Sequence, residues 1–223
     1  DNIKFTEKMF EFIFKKLNLP HELEITGKDG KKRKVNFKTP WKRVDFIELV
    51  KKDCGLDVAK YKNPKDLVKD LKKKKIQVDD MEHMGLATLI DNLYKKVSRP
   101  KIIDPVFLYH YPIELQPLAR RNDDDSEIVD QFQLVVGGWE IVKAYSELVD
   151  PIDQEKRFKD QAKLKKSGDD ETMEGDPEFV DSMKYGMPPI SGWGMGIDRI
   201  LTILTEQDNL RDVVFFPLMK PKE

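Results

Sequence analysis

Apolar residues open the chain at helical spacing: Phe10, Ile13, Phe14 and Leu17 fall three and four positions apart. This spacing predicts an amphipathic helix. The period then shifts to two. In Glu22–Thr26 and Arg33–Phe37, Leu23, Ile25, Val35 and Phe37 alternate with polar residues, which predicts a β-hairpin turning at Asp29-Gly30 and closed by Pro40. From Asp45 to Val97 the pattern is helical again, through DFIELVKKDCG, NPKDLVKDLKKKKI and DDMEHMGLATLIDNLYKKV. Met81, Met84 and Leu86 read there as helix packing, and Lys72–Lys75 as a solvated helix end rather than an RNA-facing patch.

Beyond Arg99-Pro100 the period of two returns. Val106–His110, Phe132–Val136 and Ile141–Leu148 are predicted strands, with Gly137-Gly138 turning between the last two. Pro151–Lys166 reads as a charged helix, GDDETMEGD as a polar loop, and Pro177–Tyr185 as a short helix. SGWGMGIDRILTIL then reads as a tight turn opening a helix, and Asp212–Phe216 as a last strand. The fold class that follows is α+β, an antiparallel sheet interrupted by a helical insertion from about 45 to 98.

Composition narrows the picture. Lys+Arg 40 and Asp+Glu 41 nearly cancel over 223 residues, so any nucleic-acid contact has to use a local patch. Cys54 is the sole cysteine, which excludes an intrachain disulfide and fits a reducing cytoplasm. The three histidines, His21, His83 and His110, have no ligand-like spacing, and no apolar run is long enough to cross a bilayer. The chain begins at Asp1 directly in a helical pattern, and is therefore expected to be a piece of a longer protein.

Two stretches carry candidate chemistry. In GGWEIVKAYSELVD (Gly137–Asp150), alternation places Lys143, Tyr145 and Glu147 on one strand face, and Val142, Ala144 and Ser146 on the other. A carboxylate beside an aromatic ring suits a small cation. The same pattern also describes a sheet face turned to solvent. Glu140 is out of phase with that face and reaches it only through the glycine turn or a bulge. In Ser191–Leu204, glycines before Asp198 and Arg199 open a solvated helix turn, or else leave bare backbone for a flat base with a guanidinium nearby.

The strings FQLVVGGWEIVKAYSELVDPIDQEKRF, GDDE and YGMPPISGWGMGIDRILTILTEQDNLRDVVFFPLMKP closely resemble the C-terminal part of the class II lysyl-tRNA synthetase catalytic domain. YPIELQPLAR resembles that family's strand leading to a substrate loop, and FTEKMFEFIF the helix after its motif 2. The resemblance spans nearly the whole chain and is most specific from Gln131 to Pro221. It implies a six-stranded antiparallel core, incomplete here, that activates lysine with ATP and passes it to tRNA(Lys). Matched to motif 3, Arg199 would contact ATP, with Gly194 and Gly196 forming a floor under adenine. Glu140 would hold Mg²⁺ with Gln133 as a further ligand. Glu147 would take the lysine ammonium, with Tyr145 and Lys143 in the same pocket.

The chain departs from the family pattern at three positions. Gln133 stands where a Glu is common, Lys143 where an Asn is common, and Val149 where a second Asn is common. Gln133 can ligate through its carbonyl but lowers the local negative charge. Lys143 either repels a lysine substrate or folds onto Glu140 or Glu147. No segment resembles motif 1, motif 2 or the anticodon-binding barrel, all of which would lie before Asp1. The resemblance further implies a homodimer in the full-length protein, work in the cytoplasm, and a fragment that is inactive alone with open sheet edges at Phe132–Val136 or Ile141–Leu148. A paralogue that charges lysine onto a protein, and a non-catalytic synthetase-like binding module, stand as alternatives.

Overall fold

A computed structural model describes residues 1–27, 29–166 and 175–217 of the chain. Helix α1 (Asn2–Lys16) buries Thr6, Phe10 and Phe14, while Leu17 at its end is exposed. Strands β1 (Glu22–Thr26) and β2 (Lys32–Asn36) form the expected hairpin, with Leu23 paired to Val35. The edge strand β3 (Lys42–Asp45) leads into α2 (Phe46–Cys54), α3 (Pro64–Lys73) and α4 (Leu86–Val97). Local chemistry sets these boundaries. Asp45 caps α2 by accepting the Glu48 N–H, and Gly55 ends it at φ 70°. Asn63 caps α3, with Pro64 at its first position. The helical reading of 79–84 is corrected: that stretch forms turns, and α4 starts only after Gly85.

The chain continues through β4 (Val106–Pro112), β5 (Ile128–Val136), β6 (Trp139–Ser146), α5 (Pro151–Lys166), α6 (Pro177–Met183), β7 (Ser191–Met195) and α7 (Ile197–Leu204). Most of the expected GDDETMEGD loop lies outside the described residues. The larger sheet has five strands in the order β3-β4-β5-β6-β7. Its pairs are antiparallel except β3 with β4, which is parallel. The wholly antiparallel expectation is thus corrected to a mixed sheet, and the cause is the insertion. Parallel neighbours need a long crossover, and α2–α4 supply it between β3 and β4.

Open edges were expected at β5 or β6, but both are interior strands paired on each side; β3 and β7 are the edges. The predicted strand at Asp212–Phe216 is also absent. Leu210–Val213 is a single 3₁₀ turn capped by the Asn209 side chain, and Phe215 and Phe216 are almost fully exposed. An apolar β-like run forms no strand where no neighbouring edge is offered to it.

The sheet separates two apolar layers. One face packs Phe107, Phe132, Leu134, Val142 and Ala144 against α1, the hairpin and α7. The other packs Leu108, Tyr111, Val129 and Val135 against the insertion, where Phe46, Leu89, Leu93 and Tyr94 are buried. Each such side chain, fully buried, contributes roughly 1.5–3 kcal/mol. The β5–β6 turn uses left-handed glycines, Gly137 at φ 56° and Gly138 at φ 77°, as a two-residue hairpin loop requires.

Gly30 and Gly137 both have positive φ, but only at Gly137 would a side chain collide, 2.7 Å from Ile25 Cδ1. Gly30→Ala is expected to cost about 1 kcal/mol of backbone strain, and Gly137→Ala about 2 kcal/mol or more. Urea midpoints measure both; equal losses would mean that Ile25 moves aside freely.

Candidate active site on the insertion-facing side of the sheet

Register decides which side chains meet. Gln133 pairs with Lys143 and Gln131 with Tyr145, so these four project from the same face of β5 and β6. Beyond Leu134↔Val142 the register shifts, and Val135 pairs with Glu140. Ile141 is therefore an extra residue, a β-bulge. It turns Glu140 onto the face of Gln133 and Lys143, while Ile141 and Val142 are both buried on the opposite face. The bulge that Glu140 required is present.

Gly192 and Gly194 of SGWGMG lie in strand β7, not in a turn, and Gly196 caps the helix that follows. Gly192 pairs with Tyr145 and Gly194 with Lys143, while Trp193 and Met195 pack into the opposite core. None of Gly192, Gly194 and Gly196 has a positive φ. Their purpose is a bare surface: on the site face, β7 presents only backbone. A side chain at Gly192 would lie 2.6 Å from Glu147 Oε1, whereas one at Gly194 would meet nothing closer than the Lys143 carbonyl at 3.9 Å. The resemblance assigns a role to Gly194 and Gly196 but none to Gly192; the alternation Gly-Trp-Gly-Met was the available signal.

Glu147 sits just beyond the end of β6. It is held by its own N–H, which donates to the Ile190 carbonyl at 2.9 Å, and by a bridge to Ala119. Its carboxylate is half-buried, and burial raises its pKa above the ordinary 4.5. Burial likewise raises the Tyr145 hydroxyl, with Glu147 adding to the effect. Lys143 is pushed down by burial, against opposing pulls from Glu140 and Asp91. Its ammonium lies 6.0 Å from the centre of the Tyr145 ring, and it makes no ion pair with either Glu140 or Glu147. The expected Lys143 ion pair is thus replaced by a looser field from Glu140 and the α4 acid Asp91.

Arg199 and Glu140 come together through the main chain. Arg199 Nη1 donates to the Glu140 carbonyl at 2.6 Å, and the Gly196 N–H donates to the Ile141 carbonyl at 3.0 Å. Gly196 caps α7, and a side chain there would press on Arg199 Cδ at 3.2 Å. The exposed guanidinium is thereby anchored beside the bulge. Gln133 is nearly buried, and its carbonyl accepts the Tyr111 hydroxyl at 2.8 Å.

A cleft of about 610 Å³ opens at the far end of the same strands, lined by Gln131, Tyr145, Asp130, Asn122, Tyr109 and Arg43 among others. Of the residues singled out by sequence, it takes in Tyr145 alone; Glu140, Lys143, Glu147 and Arg199 lie outside it. Gln131 is 5% exposed and both polar atoms of its amide lack partners. Unpaired buried amides are costly, so Gln131 stands out among the side chains of this cleft. Sequence reasoning passed over Gln131, although two glutamines inside the apolar run of β5 were visible.

A model of the family described as tRNA synthetases class II (D, K and N) matches residues 1–220. A protein named lysine–tRNA ligase from Helicobacter hepaticus is 40% identical over 221 residues, which cover 99% of this chain and 41% of that protein. Its namesake from Christiangramia forsetii is 39% identical, covering 99% and 37%. That from Aquifex aeolicus is 36% identical, covering 100% and 36%. The chain thus spans about two-fifths of the length of the curated relatives it matches.

Because the folded protein holds the Glu147 proton to higher pH than the unfolded chain does, this group lowers stability as pH rises from 4.5 through its folded pKa. Glu147→Gln is therefore expected to be more stable than the native protein at neutral pH, with the gap closing below 4.5. Urea midpoints across that range check it; a variant less stable at neutral pH would mean that Glu147 has a structural partner.

Proposed function

The chain belongs to the class II tRNA synthetases of the D, K and N group, and from that premise we propose that its full-length protein is a lysine–tRNA ligase. It joins lysine to ATP as lysyl-adenylate, releasing pyrophosphate, and then transfers the lysyl group to tRNA(Lys). The observation that carries the reading is the Glu147 carboxylate, seated where Gly192 leaves room on a strip of bare β7 backbone.

A lysine side chain needs a partner for its ammonium once water is removed. Glu147 supplies the charge, and the Tyr145 ring supplies an apolar wall. A neutral amino acid would leave the Glu147 carboxylate desolvated and unpaired, so the pocket rejects it. The adenine ring is placed over Gly194 and Gly196, where no side chain obstructs a flat ligand. Arg199, already tethered to the Glu140 carbonyl, directs its remaining N–H groups to the nucleotide.

Glu140 offers one half-buried carboxylate. That suits Mg²⁺, an ion held largely by phosphate oxygens and water, and the ion when bound neutralises phosphate charge as pyrophosphate leaves. The protein contributes no covalent nucleophile. It aligns the lysine carboxylate with the α-phosphorus, and this positioning supplies most of the catalysis. The reading carries with it a homodimer for the full-length protein and the cytoplasm as its place of work. Among the described residues, no helix is long and apolar enough to cross a membrane.

In the full-length protein, Glu147→Gln is expected to lower kcat/KM for lysine by about two orders of magnitude, the scale of losing a buried charged partner. Gly192→Ala should act in the same direction by displacing the carboxylate, with the KM for ATP little changed. Lysine-dependent ATP–pyrophosphate exchange measures both, and exchange within threefold of native for Glu147→Gln would overturn the lysine assignment.

Arg199→Ala is expected to cost about 2–4 kcal/mol of transition-state stabilisation, and Arg199→Lys to recover little of it, because an ammonium has no planar face. The same exchange assay, run against ATP concentration, checks this. Full activity in the Lys variant would remove Arg199 from the nucleotide site.

A further inference from the structure

Two departures from the family pattern, Gln133 and Lys143, are direct cross-strand partners on the site face. They are thus one local change rather than two scattered ones. Gln133 is a neutral amide, and the residue facing it, Lys143, is an ammonium. The pair therefore carries a net positive charge at one point of the sheet, two register steps from the pair Val135↔Glu140 and on the same face.

The surroundings make this point unsuited to a divalent ion. The Gln133 carbonyl already accepts the Tyr111 hydroxyl, within a nearly buried side chain. The fully buried Phe46 ring stacks on Tyr111 from the insertion side, 4.3 Å between ring centres, which fixes the hydroxyl that binds Gln133. Among the described residues no group of three or more His, Cys, Asp or Glu side chains is placed to hold a metal. A dication at Gln133 would have a single neutral oxygen donor from this pair and an ammonium as its neighbour. The favourable oxygen shell that Mg²⁺ requires is not built there.

The same position suits an anion. Lys143 carries its charge on the face shared with Glu140, opposite the bare Gly194 backbone. Among the described residues none holds it in a close ion pair, so its N–H donors can meet a phosphate oxygen arriving over β7. Building on the reading of this face as an ATP site, we infer that Lys143 is a built-in cation for the nucleotide phosphates, so that a single divalent ion, held by Glu140, accompanies the nucleotide. Gln133 then supports Tyr111 and is not a metal ligand.

The test counts ions. The full-length protein is saturated with the β,γ-methylene analogue of ATP, and bound Mn²⁺ is determined from the electron paramagnetic resonance signal of the free ion. Nucleotide binding is followed separately by calorimetry. The native protein is expected to hold one Mn²⁺ per bound nucleotide, and the Gln133→Glu, Lys143→Asn double variant to hold two. Two or more ions on the native protein overturn the inference, as do equal counts on the two folded proteins. Should the double variant not fold, the native count decides alone. Nucleotide that binds neither protein would instead overturn the ATP-site reading, and this inference with it.

Discussion

One additional residue in β6, Ile141, determines which layer of the molecule receives Glu140. In an unbroken ladder Glu140 would share the face of Leu134 and Val142, among Phe107, Phe132 and the α1 aromatics, where a lone carboxylate is costly. The bulge moves it to the other face and gives the apolar layer two consecutive buried residues in exchange, Ile141 and Val142. The displaced main chain is then reused. The Ile141 carbonyl receives the Gly196 N–H, and the Glu140 carbonyl receives Arg199. A single register shift thus orients the carboxylate, starts α7 and anchors the guanidinium.

The two faces of the sheet divide the work of stability and of chemistry. The α1 side is apolar and interlocked, with Phe10, Trp41, Phe107 and Phe132 in successive edge or tilted ring contacts. The insertion side carries the burdens: a desolvated carboxylate at Glu147, a desolvated ammonium at Lys143 and an amide at Gln131 without partners. Each costs folding free energy, because a desolvated charge or an unpaired buried amide is unfavourable. The insertion makes this possible. Its buried Phe46, Leu89, Leu93 and Tyr94 stabilise that side without filling the strip over β7.

Much of this was legible in the chain because it follows from local period. The hairpin, the glycine turn at Gly137-Gly138 and the helical stretch ending at Val97 each follow from spacing and turn residues. The face shared by Lys143 and Tyr145 follows from strand alternation. What escaped depends on partners distant in sequence. No local pattern says that β3 runs parallel to β4, since that orientation comes from the crossover between them. The bulge at Ile141 is a mismatch between two strands and has no signature within either. The apolar run Val213–Phe216 met the local rules for a strand, but no edge receives it. The glycines of Ser191–Leu204 were visible, but sequence left a turn and a bare backbone surface as alternatives, because a bare sheet face and a flexible turn use the same residue.

The bare strip has a mechanical consequence of its own. A glycine-containing edge strand is weak, because it has little side chain to pack and one ladder left open. β7 is such a strand, and its two site-face positions contribute only backbone. Its hold comes from the other side. Trp193 Nε1 donates to Thr6 Oγ1 at 2.9 Å, and Phe5 meets the indole edge-on with ring centres 5.5 Å apart. Thr6 is fully buried and donates in turn to the Asn2 carbonyl at 2.7 Å, so the bond is fixed within the first turns of α1. Helix α1 therefore acts as a clamp on the strand that floors the site. The flat backbone strip on one face is sustained by a half-buried aromatic side chain on the other.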